Sequence, residues 1–147
     1  MWNSDLRIEF IVPKRGRGDE DVFKIAPLSI RAESLRFVDI LLLNPVYIKV
    51  QGVKVLVPSP ESFCLHKFAI LNRRQKIDKR TKDLEQAVYT YRISDKNKLL
   101  KMFHGLLRPW QKTLIENLNH YIDLSPLLRE EIREIIDTLQ NAMNKTK

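Results

Sequence analysis

Apolar and polar residues alternate from Leu6 to Val12, with Leu6, Ile8, Phe10 and Val12 on one face and Arg7, Glu9 and Ile11 on the other. A period of two predicts a strand over 6–12. The run from Pro13 to Asp21, rich in Lys, Arg, Gly and acid, has no period and reads as a loop. Phe23 to Ile30 reads as a short extended piece interrupted by Pro27. From Glu33 to Leu43 the apolar residues Leu35, Val38, Leu41 and Leu42 recur at helical spacing, and Asn44-Pro45 ends the pattern, so a short helix is predicted there. Val46–Val50 and Val53–Val57 are β-branched arms around Gln51-Gly52, the signature of a hairpin.

Beyond Pro58 the period changes from two to helical. Ser59 suits a cap, Pro60 the first helical position, and Glu61 the positive end of the helix dipole. Leu65, Phe68 and Ala69 then form one stripe, while Lys67, Ile70 and Arg74 form a neighbouring one. A basic elbow through Arg73, Arg74, Lys76, Lys79, Arg80 and Lys82 leads into further helices over 82–92, 95–107 and 111–120, with Arg108-Pro109-Trp110 as a break. Ser125-Pro126 reads as the start of a last helix, with Leu128, Ile132, Ile135, Ile136, Leu139 and Met143 as its core stripe. The pattern predicts an α+β chain. A small mixed or antiparallel sheet (strands near 6–12, 46–50 and 53–57) precedes a mostly helical C-terminal half. Its 147 residues predict a single domain, with 1–58 the sheet-containing part and 59–147 the helical part.

Charge narrows the partners. A formal net charge of +8 favours anions, whether nucleic acid, nucleotide phosphates or an acidic protein surface. Cys64 is the one cysteine, so no disulfide can close within the chain, and its apolar surroundings predict a buried thiol. No stretch has the length and apolarity of a membrane span, and Met1 to Phe10 lacks a signal-peptide layout. A cytoplasmic protein without a membrane partner is expected.

Several chemistries find no support. His66, His104 and His120 are scattered, with no Cys or Asp at ligand spacing, and are read as structural or surface residues. Cys64 has no visible base, and Ser59 is better explained as a cap than as a nucleophile. Gly16-Arg17-Gly18 lacks the Lys-Ser or Lys-Thr and helix start of a phosphate loop. Tyr47, Tyr89, Tyr91 and Trp110 do not interleave with the basic run, which weighs against a stacking array for single strands.

The order of four blocks is more specific than any of them alone: LRIEFIVPKRGRG, APLSIRAESLRFVDILLLNPV, VLVPSPESFCLHKFAILNRR and KRTKDLEQA. Together, over about residues 5 to 90, they resemble the latter part of a bacterial nucleotidyltransferase-fold family, related in outline to the abortive-infection AbiEii-type nucleotidyltransferases. The resemblance implies transfer of a nucleoside monophosphate from NTP to a protein or nucleic-acid acceptor such as tRNA, with Mg²⁺ or Mn²⁺ held by carboxylates. Glu9 would be the strand carboxylate that binds metal, the one catalytic residue carried over. Lys67, Arg73 and Arg74 would be the basic helix positions that meet the triphosphate, and Lys82-Asp83 the polar pair opening the next helix. Hard oxygen ligands suit Mg²⁺, and guanidinium forks suit phosphate oxygens. The family's glycine-serine turn and acid-x-acid pair should lie upstream of Glu9, and the eight residues there contain neither. Asp5 cannot stand in, since four residues along a strand span about 13 Å. A fragment, a displaced start or a degenerate relative is therefore expected, not active by itself. A toxin–antitoxin-like setting goes with that resemblance; the alternative is a non-catalytic basic module for nucleic acid or protein, with self-association through Leu6 to Val12 or the Ile132–Ile136 helix.

Overall fold

The structure is a computed structural model that describes residues 10–14 and 22–144. The chain divides into two compact units, Met1–Asp39 and Ile40–Lys147.

In the first unit, β1 (Phe10–Pro13), β2 (Val22–Ile25) and β3 (Ile30–Leu35) form a mixed sheet of order β1-β3-β2. β1 runs parallel to β3 with Phe10 opposite Ala32, and β2 runs antiparallel to it with Ile25 opposite Ile30. Residues 6–9 of the predicted first strand, Glu9 among them, lie outside the described residues, as does 15–21 of the loop.

The helix predicted from Glu33 to Leu43 is corrected. Residues 30–35 are strand, and only α1 (Val38–Leu41) is helical. Ala32 and Ser34 are buried while Arg31 and Glu33 are exposed, so the local period is two. Phe37, at φ 65, then turns the chain in the left-handed region and separates strand from helix.

In the second unit β4 (Val46–Val50) and β5 (Val53–Val57) pair as the expected hairpin, with Val50 opposite Val53. Gln51 (φ 48) and Gly52 (φ 84) both have positive φ, the requirement of a two-residue type I′ turn. The hairpin forms a two-stranded sheet of its own.

Five helices follow: α2 (Pro60–Ile70), α3 (Ile77–Ile93), α4 (Lys96–Gly105), α5 (Arg108–Tyr121) and α6 (Arg129–Asn144). α2 is the central rod, packed against α3, α4 and α5. The expected stripe Leu65, Phe68 and Ala69 has no solvent exposure and meets a core that includes Leu84, Phe103, Leu114 and Leu139. Ser59 caps α2, its Oγ accepting from the Ser62 N–H at 3.3 Å. Past Ile70 the chain tightens into a 3₁₀ turn over Leu71–Arg73, and Asn117 from α5 donates to the carbonyls of Phe68 (2.9 Å) and Ala69 (3.0 Å) that this ending would leave bare.

Helix boundaries shift for local reasons. α3 begins at Ile77, five residues before the predicted Lys82, so part of the basic elbow is itself helical. α4 ends at Gly105, and α5 begins at Arg108 with Pro109 in its first turn rather than after a break at 108–110. Ser125 does not cap α6 with its side chain; its Oγ donates to Glu85, and Pro126–Leu128 forms a 3₁₀ turn first. Ala142 rather than Met143 completes the α6 stripe. Among the described residues no helix is long and apolar enough to cross a membrane.

Candidate functional site: a basic cleft around Asp83

The spacing of α3 builds one wall of the site. Lys79, Lys82, Asp83 and Gln86 stand at i, i+3, i+4 and i+7, which puts all four on one face of a helix. α2 supplies Lys67 and the residue after the 3₁₀ turn supplies Arg74, and these six side chains line a cleft of about 300 Å³.

Asp83 organises it. Its Oδ1 accepts from Lys67 Nζ at 2.5 Å and its Oδ2 from Arg74 Nε at 2.6 Å. The Asp83 side chain is 8% exposed, Lys67 14% and Arg74 38%, so the carboxylate lies at the bottom and the guanidinium reaches the rim. Burial alone would raise the Asp83 pKa, but the two donated hydrogen bonds hold it below its ordinary value. The aspartate is thus ionised with both oxygens engaged, and it fixes the two cations in place without neutralising both.

Lys79 and Lys82 add two exposed ammonium groups that pair with no other described residue. Four cations around one carboxylate leave an excess of positive charge in a concave site, the electrostatic character of a polyanion receptor.

The elbow is braced from within. Arg80 Nε donates to the carbonyl of Leu71 at 2.9 Å, its Nη2 donates to the carbonyl of Arg74, and its guanidinium lies 4.3 Å from the centre of the Tyr121 ring. A residue that reads as one more surface charge therefore holds the turn that presents Arg74. His66, beside Lys67 in sequence, is buried; burial first, then Lys67 and Arg74, lower its pKa to about 4, so it is neutral at pH 7. Cys64 is fully buried, its Sγ 3.4 Å from the carbonyl oxygen of Ala87, and burial pushes its thiol pKa up, so it is no nucleophile.

Of the sequence-predicted residues, Lys67, Arg74, Lys82 and Asp83 come together in this cleft. Arg73 sits exposed on the 3₁₀ turn and is not among the residues lining it. Glu9 lies outside the described residues. Lys79 and Gln86 were not singled out for the site, although their spacing from Lys82 and Asp83 is the signal that finds them. The described residues do not fit a metal site: none cluster as three His, Cys, Asp or Glu, and the oxygens of Asp83 are already engaged by cations.

A helix-borne basic cleft in an α+β chain has the charge and concavity to receive an anion. Comparison with known proteins makes that reading particular: a nucleotidyltransferase family matches residues 2–105, well over half of the chain, and the chain belongs to it. No curated protein and no solved structure matches.

Proposed function

We propose that the cleft holds the triphosphate of an NTP while its nucleoside monophosphate passes to a protein or nucleic-acid acceptor. The reading is supported by the convergence of Lys67, Arg74, Lys79 and Lys82 on one small cleft of a chain that belongs to a nucleotidyltransferase family. In such a transfer an acceptor oxygen attacks the α-phosphorus in line, the bond to the β-phosphate oxygen breaks, and pyrophosphate leaves with the charge that develops. In this reading Lys67 and Arg74, already held by Asp83, stabilise that charge without reorganising during the step. Lys79 and Lys82 attract the polyanion from solution. Glu9 is proposed as the ligand of Mg²⁺ or Mn²⁺ on the strength of the family resemblance alone, since it lies outside the described residues.

Calorimetric titration of the chain with each NTP, with and without Mg²⁺ or Mn²⁺, tests the reading. Lys67→Ala is expected to weaken binding about tenfold, the size of one charge-assisted hydrogen bond. Absence of binding at millimolar NTP overturns it. A second reading, a non-catalytic grip on nucleic acid, is favoured by the exposed Lys79 and Lys82. It predicts steeply salt-dependent binding to tRNA that Lys79→Ala and Lys82→Ala weaken and that metal ions do not promote.

A further inference from the structure

The second unit contains another cavity, larger than the basic cleft and of different chemistry. It has a volume of about 560 Å³, within the range of small-molecule sites. Leu43 and Val46 line it ahead of and within the hairpin, Met102 lines it from α4, Glu61 comes from the first turn of α2, and Lys98 and Lys101 from α4. Glu61 and Lys67 are six residues apart on α2, so the two sites are separated by about 9 Å along that helix and face different ways.

Glu61 is 7% exposed, so it is a buried carboxylate lining a cavity. Its Oε1 accepts from the Asp95 N–H at 2.9 Å, which ties the start of α4 to the start of α2. Its Oε2 has no hydrogen-bond partner among the described residues, yet it is not sealed from solvent. A carboxylate oxygen left without a protein donor can accept from a ligand that brings one. The Lys101 ammonium is exposed and makes no ion pair or hydrogen bond with another described residue, and the Lys98 ammonium makes only a 3.9 Å contact with Asp95. The cavity thus offers the Glu61 carboxylate as an anionic acceptor, an apolar wall and two cations, with Asn44 and Ser59 also lining it.

We propose that this cavity is a second ligand site, for a nucleoside monophosphate whose base carries an exocyclic amine. The base lies against Leu43, Val46 and Met102, its amine donates to Glu61 Oε2, and the phosphate meets Lys98 and Lys101. Each part of the ligand answers one feature of the wall: a planar apolar face, one donor and a compact anion. The site is independent of the triphosphate reading of the basic cleft.

Gly105 provides a clean way to close it. It lines the cavity at the end of α4, and a Cβ built there meets nothing within 4 Å, so a larger side chain extends into open space rather than into the core. The test is calorimetric titration of the whole chain with adenosine 5′-monophosphate, with purine riboside 5′-monophosphate, which lacks the amine, as the paired ligand. The adenylate is expected to bind, and the deaminated analogue to bind about tenfold more weakly, the value of one hydrogen bond to a charged group. Glu61→Gln keeps an oxygen for Asp95 N–H but turns an amide donor toward the base, and is expected to weaken adenylate about tenfold. Gly105→Leu is expected to abolish binding. Lys101→Glu, an exposed change, is expected to do nearly the same and serves should the glycine variant fold poorly. Lys67→Ala distinguishes the two sites: adenylate binding at this cavity is expected to be weakened far more by Lys101→Glu than by Lys67→Ala. No binding at about 10 mM adenylate, weaker than any useful site, overturns the proposal. So does binding that survives Glu61→Gln and Lys101→Glu but is lost in Lys67→Ala, because the anion then occupies the basic cleft.

Discussion

Two carboxylates on neighbouring helices of one core do opposite work. Asp83 gives one oxygen to Lys67 and the other to Arg74, while Glu61, which lines a cavity, gives one oxygen to a backbone amide and leaves the other without a partner among the described residues. Both are largely buried. Burial therefore does not distinguish a carboxylate that builds a site from one that receives a ligand; the occupancy of its lone pairs does. Asp83 is satisfied and creates a receptor made of its partners. Glu61 is half satisfied and is itself part of the receptor.

Removing each acid should separate the two roles. The largest effect is expected at Asp83, where Asp83→Ala strands two cations in a partly closed cleft. Unfolding in urea should show a loss of about 3–4 kcal/mol, toward the low end of a broken buried pair because Arg74 can turn to water. A loss below about 1 kcal/mol would mean that Lys67 and Arg74 are as well solvated without it.

Acid should find His66 before it reaches Asp83. The His66 pKa falls from 6.5 to about 4 in the folded protein, so the unfolded chain binds the proton more readily between those values. Stability should then fall as pH is lowered from 6.5 to 4, by about 2–3 kcal/mol, and His66→Gln should flatten that part of the curve. The Asp83 pKa is lowered instead, so its contribution should persist through this window and disappear only below the ordinary carboxylate range. A profile that stays level from pH 6.5 to 4 would place His66 in contact with solvent.

The smallest effect is expected at Glu61. Glu61→Ala leaves the Asp95 N–H without its acceptor and should cost about 1–2 kcal/mol, whereas Glu61→Gln, which keeps an acceptor there, should cost less than about 0.5 kcal/mol. Equal losses for the two would show that the negative charge, rather than the hydrogen bond, is what α2 and α4 share.

Much of the helical half was legible because its signals are local. Ser59-Pro60 marks the start of α2 by capping chemistry, and Gln51-Gly52 marks the hairpin because both residues must adopt positive φ. Four of the cleft residues, Lys67, Arg74, Lys82 and Asp83, were legible through the order of the family's blocks. β3 was misread because Leu35, Val38, Leu41 and Leu42 imitate a helical stripe, while the alternation that decides the matter rests on small residues, Ala32 and Ser34, that carry little hydrophobic signal. The partnership of Lys67 with Asp83 joins positions 16 apart on two helices, and no periodicity within one element encodes it. The cavity beside Glu61 was illegible for the same reason, since its walls come from three separated stretches of chain.

The side-chain amide of Asn117 hydrogen-bonds no residue that lines the basic cleft, yet it grips the last carbonyls of the helix that carries Lys67. The cleft is in that sense aimed from a residue half a hundred positions downstream of its lysine. In a random-mutagenesis screen scored by nucleotide affinity, substitutions at 117 should surface among the losses, and be mistaken for contacts they do not make.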